Sequence, residues 1–95
     1  MRLSMQESVS VPENVLFREL DGESVILSLE SEAYFGLDDV GTRIWLQLTT
    51  QPTIQDAYDA LLNEYDVEPD VLRADVSKLV TELVAAGLLE ISNGR

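Results

Sequence analysis

From Asn14 onward the apolar residues of the chain fall into two different rhythms. The run "NVLFREL" (14–20) is rich in Val, Leu and Phe, and after "DGE" (21–23) the run "SVILSLE" (24–30) sets Val25, Leu27 and Leu29 at alternate positions. Period-two alternation is the mark of a strand, and a Gly-containing reversal between two such runs predicts a hairpin. Ser31 and Glu32 form a polar break before "AYFGL" (33–37), whose aromatic and apolar residues predict a third antiparallel strand. Side chains alternate across a strand, so Tyr34 and Gly36 face one way while Ala33, Phe35 and Leu37 face the other.

After Leu37 the period lengthens. Asp38 or Asp39 supplies an N-cap, and Val40, Ile44 and Leu48 recur at four-residue spacing beside Trp45, which predicts a first helix from Asp39 toward Leu48. "TTQP" ends it, because the residue before Pro52 is pushed out of helical geometry. Thr53 caps a second helix, with Asp56 three positions on and an apolar stripe of Ile54, Ala57, Tyr58, Leu61, Leu62 and Tyr65. Pro69 suits the first turn of a third helix that runs through Leu72, Val76, Leu79, Val80 and Leu83 and stops at Gly87. "LLEIS" (88–92) follows as a short extended tail. Residues 1–12 lack periodicity and read as a flexible N-terminal arm ahead of one domain over 13–92. The expected fold class is α+β: a three-stranded antiparallel sheet followed by a three-helix bundle, winged helix-turn-helix-like in outline.

Composition narrows what such a domain does. The 95 residues suffice for a single core, and the chain contains no Cys and no His. Disulfides, thiolate or imidazole metal sites and the common nucleophile–base pairings therefore have no raw material, and no metal and no cofactor are expected. Lys78 is the sole lysine. Carboxylate chemistry remains, but the adjacent pair Asp38 and Asp39 is explained more economically as a helix cap, so no catalytic residue is assigned and an enzyme is not expected. The net charge of −12 repels phosphate backbones and attracts basic partners, and the six basic residues are scattered, which disfavours the winged-helix nucleic-acid binder that the outline alone suggests. The same charge also serves simply to keep a surface solvated. No apolar run approaches the roughly 20 residues of a bilayer span, and "MRLSMQESVSVPEN" lacks the apolar block of a secretory signal, so the expectation is a cytoplasmic protein without a membrane partner.

The hairpin order places "AYFGL" at a sheet edge unless the carboxyl-terminal "LLEIS" or a helix covers it. Edges expose unpaired N–H and C=O groups and are normally blocked by Lys, Pro or charge, none of which occurs between Ala33 and Leu37. On the third helix Leu72, Val76, Leu79 and Leu83 share a face, broadened by Val80 and Val84 on one flank and bordered by Asp75, Lys78 and Glu82 on the other. That width fits either a helix buried on two sides or one that also lines a groove against the third strand. A peptide gripped there would extend the sheet, and Glu32, Asp75 and Glu82 would attract its lysines.

The segment "ENVLFRELDGESVILSLESEAYFGLDDVGTRIW", followed by "YDV" and "ADVSKLVTELVAAGLLEI", resembles the PqqD-like family, also described as RiPP precursor peptide recognition elements. The likeness runs from Glu13 to Ile91, and its most specific parts are the "YFGLDDVGTRIW" junction and the closing "DV…L…L…GLLE" pattern. The resemblance implies a noncatalytic domain that binds the leader segment of a ribosomally made precursor peptide and delivers it to a modifying enzyme. It implies that the leader adds beside the third strand, at Ala33, Tyr34, Phe35, Gly36 and Leu37, and rests on Leu72, Asp75, Val76 and Leu79 of the third helix. The free-standing size and "LDDVGTRIW" look most like the separate leader-binding subunit of lasso peptide biosynthesis, whose partner is a cysteine protease. A role in pyrroloquinoline quinone biosynthesis with a radical SAM partner is the alternative.

Overall fold

A computed structural model of the chain describes residues 5–92. Strand β1 (Ser8–Ser10) is followed by β2 (Val15–Leu20), β3 (Glu23–Ser28) and β4 (Tyr34–Leu37). Three helices come next, α1 (Asp39–Thr50), α2 (Ile54–Glu64) and α3 (Pro69–Ala85), and β5 (Glu90–Ser92) closes the fold. The main sheet has the order β2-β3-β4, all antiparallel, so the α+β expectation of three strands then three helices holds. β2 and β3 join through Asp21 and Gly22, both at positive φ (56° and 85°), the pair of left-handed residues that a two-residue hairpin matched to strand twist requires.

The helix ends follow the sequence signals. Asp38 caps α1, its side chain accepting from the Gly41 N–H at 2.8 Å, and Thr53 caps α2 by accepting from the Asp56 N–H at 3.1 Å. Pro69 opens α3, and Gly87 follows it at φ +78°, where a side chain is disfavoured. Their apolar faces meet over the sheet in one core that includes Ile26, Trp45, Leu48, Leu61, Val76, Val80 and Leu83. Phe17 of β2 stacks on Trp45 of α1 with ring centroids 5.6 Å apart.

Two features depart from the sequence reading. The inward face of β3 is Ser24, Ile26 and Ser28, all buried, whereas Val25 and Leu29 are 44% and 58% exposed. Alternation of apolar residues therefore marks the outer face of this strand. The serines are tolerated inside because each has a partner: Ser24 Oγ shares a 2.7 Å hydrogen bond with Thr42 Oγ1 of α1, and Ser28 Oγ accepts from the Ser31 N–H.

The second departure lies at the chain ends. Residues 8–10, within the stretch read as a flexible arm, form a strand that pairs antiparallel with β5 in the register Ser8↔Ser92, Val9↔Ile91, Ser10↔Glu90. Just upstream the Glu7 and Met5 carbonyls accept from the Ile54 and Gln55 amides, two N–H groups that the first turn of α2 leaves without helical partners. Residues 1–4 of that arm lie outside the described residues.

Candidate functional site

β4 is four residues long and lies at the margin of the main sheet. Its inner neighbour is β3 in the register Leu27↔Tyr34, Ile26↔Phe35, Val25↔Gly36, Ser24↔Leu37. Beyond the strand end, Ser28 N–H donates to Ala33 C=O at 2.8 Å, so residues of the parity of Ala33, namely Phe35 and Leu37, turn their backbone groups toward β3. Tyr34 and Gly36 turn theirs outward. β5, the segment that had the opportunity to cover this margin, pairs with β1 instead.

Beside the margin runs a groove of about 480 Å³. One wall is Phe35, Gly36, Leu37 and Asp38; the floor is Val40, Gly41 and Ile44 at the start of α1; the other wall is Asp75, Lys78, Leu79 and Glu82 of α3. The groove has an apolar base and a charged rim, the composition that suits an extended peptide with apolar anchors. A second hollow of about 580 Å³ lies along the sheet over Arg18, Leu20, Glu23, Val25 and Asp38 and also reaches Gly36. A methyl group at Gly36 would meet no atom within 4 Å, so the space around this residue is open in the free chain.

The predicted residues divide among four settings. Phe35, Gly36, Leu37, Asp75 and Leu79 come together at the groove, with Phe35 half-buried and Leu37 and Leu79 nearly covered. Tyr34 is 75% exposed on the outer sheet face, across from Leu27, so it offers backbone to the margin and its ring to the opposite side of the sheet. Ala33 precedes the strand, half-buried, and Glu32 is exposed in the turn at φ +62°. Leu72 (3% exposed) and Val76 (0%) are core residues that do not line the groove, because the helix turns them under Leu79 toward the bundle interior. Of α3's broad apolar face, Leu79 is the residue shared between core and groove.

The sequence pattern does not place Val40, Gly41 and Ile44 at this site, and it reads Asp38 as a helix cap near it. They reach it because α1 starts immediately after β4, which brings the first turn of the helix under the groove. The signal was present in the abrupt change of period at Leu37. Among the described residues no group of three or more His, Cys, Asp or Glu is arranged to hold a metal ion, and no helix is long and apolar enough to cross a membrane.

The family model that matches is that of coenzyme PQQ synthesis protein D (PqqD), over residues 23–89. No curated protein sequence matches. Among solved structures, TbiB1 in complex with the TbiA(beta) leader peptide is similar at 34% identity and a TM-score of 0.76, covering 85% of this chain and 94% of that one. A lasso peptide synthetase B1 complexed with the leader peptide is similar at 26% identity and a TM-score of 0.74, covering 87% of this chain and 98% of that one.

Proposed function

Because the chain belongs to the PqqD family, we propose that it is a noncatalytic adaptor that binds the leader segment of a ribosomally synthesised precursor peptide by strand addition and presents it to a maturation enzyme. The observation that supports this reading most is the open margin of β4, where Tyr34 and Gly36 direct backbone donors and acceptors away from β3 beside a groove floored by apolar side chains. An incoming strand satisfies those groups, and its side chains on one face enter the groove against Leu79 and Ile44. Affinity comes from the ladder and the anchors, while the charged rim contributes orientation and rate.

The solved neighbours, a leader-peptide complex and a lasso peptide synthetase B1 with its leader, favour the lasso pathway over pyrroloquinoline quinone biosynthesis. On that pathway the maturation enzyme is a cysteine protease, whose catalytic Cys and His these 95 residues do not supply. Titration of the ¹⁵N-labelled domain with the TbiA(beta) leader peptide tests the reading. Saturable shifts of the Glu32–Leu37 amides and of α3 around Asp75 to Glu82 are expected. Shifts confined to the β1–β5 end would remove the groove as the site.

A further inference from the structure

Lys78 stands alone in the groove. Asp38, Asp75 and Glu82 line the same walls, yet none of them closes to ion-pair distance with it. The helix offers Lys78 two partners at favourable spacing, Asp75 three residues before it and Glu82 four residues after, and both pairs are left open. Exposed pairs of this kind contribute little to a helix, so the ammonium stays available to a chain laid in the groove. Among the described residues the ammonium is the single cation on a rim of three carboxylates, facing the space beside Phe35, Gly36 and Leu37 that an added strand fills.

We infer that Lys78 selects among leaders: the strand in this groove carries one carboxylate side chain at the register facing Lys78 and is neutral or basic where it meets Asp38, Asp75 and Glu82. The inference rests on the leader-binding reading and deepens it. Same-face side chains recur every second residue along a strand, so the carboxylate belongs to the set that enters the groove. A shift of one residue would carry it to the outer sheet face, away from Lys78, and bring no counter-charge in its place. A single cation among acids thereby fixes register as well as preference.

The probes are short strand-forming peptides of alternating Thr and Val in which one Glu is walked along the sequence, with Gln and Lys counterparts at each position. Binding is measured by fluorescence anisotropy to the wild-type chain, Lys78→Gln and Lys78→Glu, all exposed-site changes whose fold is checked by circular dichroism. For the wild type, Glu at one register is expected to bind about two- to fivefold tighter than Gln, the range of a rim ion pair. Lys78→Gln should abolish that preference and Lys78→Glu should invert it toward Lys. Identical Glu, Gln and Lys rankings in wild type and Lys78→Glu overturn the inference while leaving the groove in place. Binding that fails to perturb the Tyr34 and Gly36 amides overturns the groove and the inference together.

Discussion

Ser24 and Thr42 meet in the interior, each at most 5% exposed, and their 2.7 Å hydrogen bond joins β3 to α1. Removing one hydroxyl leaves the other without a partner, so Thr42→Val should cost about 1–3 kcal/mol in urea denaturation, and Ser24→Ala combined with Thr42→Val should cost less than the sum of the single changes. The outcome matters for function because this pair seats the helix whose first turn floors the site. Tyr34 presents the opposite case. Its exposure of 75% predicts that Tyr34→Ala leaves the thermal midpoint nearly unchanged, and because its ring lies on the outer sheet face, leader binding weakens only by a cross-strand contact of about 0.2–1 kcal/mol in calorimetry. Leu79→Ala, at 9% exposure, should lose both, with about 2–4 kcal/mol of stability gone through the cavity it leaves. The two variants together separate a binding role from a structural one. At this scale the sequence was a partial guide. The alternation of Tyr34 and Phe35 across the strand was legible from pattern, whereas Leu72, Val76 and Leu79 share one apolar helical face, and only the packing of α3 sets the first two in the core and the third at the groove.

At the scale of elements, β4 decides the outcome, and proline tests it directly. Gly36 turns its N–H outward, so Gly36→Pro removes a donor that only an added strand would use; an edge strand tolerates that. The expected result is a folded domain, by circular dichroism and thermal midpoint, with leader affinity reduced at least tenfold. Phe35→Pro is the control, since its N–H points to β3 and its loss should destabilise the sheet itself. The boundaries of the three main strands and three helices were readable because their signals are local: Asp21-Gly22 at the hairpin, Asp38 and Thr53 as caps, Pro69 and Gly87 at the two ends of α3. β1 was not readable. "SVS" has no apolar rhythm, and its pairing partner lies at the other end of the chain, so the order of those residues arises from a long-range contact. The inward face of β3 was hidden for a related reason: Ser24 and Ser28 look like surface residues until Thr42 and Ser31 are brought to them by the fold.

Over the whole molecule, a charge of −12 sets the conditions under which a leader arrives. Association of a basic leader should slow as salt is raised, and Asp75→Lys should reduce the association rate and flatten that salt dependence with little change in dissociation, as stopped-flow fluorescence would resolve. Several of the carboxylates accept hydrogen bonds, among them Glu30, Asp38, Asp56 and Asp59. Glu64 is held by two residues: hydrogen bonding to Arg43 at 3.0 and 3.1 Å, opposed by slight burial and aided by Gln47, holds its carboxyl below the ordinary value of 4.5. A carboxyl lowered in the folded state adds stability that is present above its unfolded pKa and is lost as pH falls through the folded one. Thermal midpoints should therefore drop below about pH 4.5 in the wild type, and part of that acid limb should disappear in Glu64→Gln. The effect is small, because the pair is solvent-accessible.

The antiparallel ladder of β1 and β5 also fixes how the domain bears mechanical load. Ser8 lies opposite Ser92, so the two ends of the described chain leave on the same side. Tension applied between them strips the Met5 and Glu7 carbonyls from α2 and then peels the ladder one pair at a time, a geometry that yields at lower force than shearing. In an optical trap the terminal strands should unzip as a separate early step, with β2, β3 and β4 still carrying no strain.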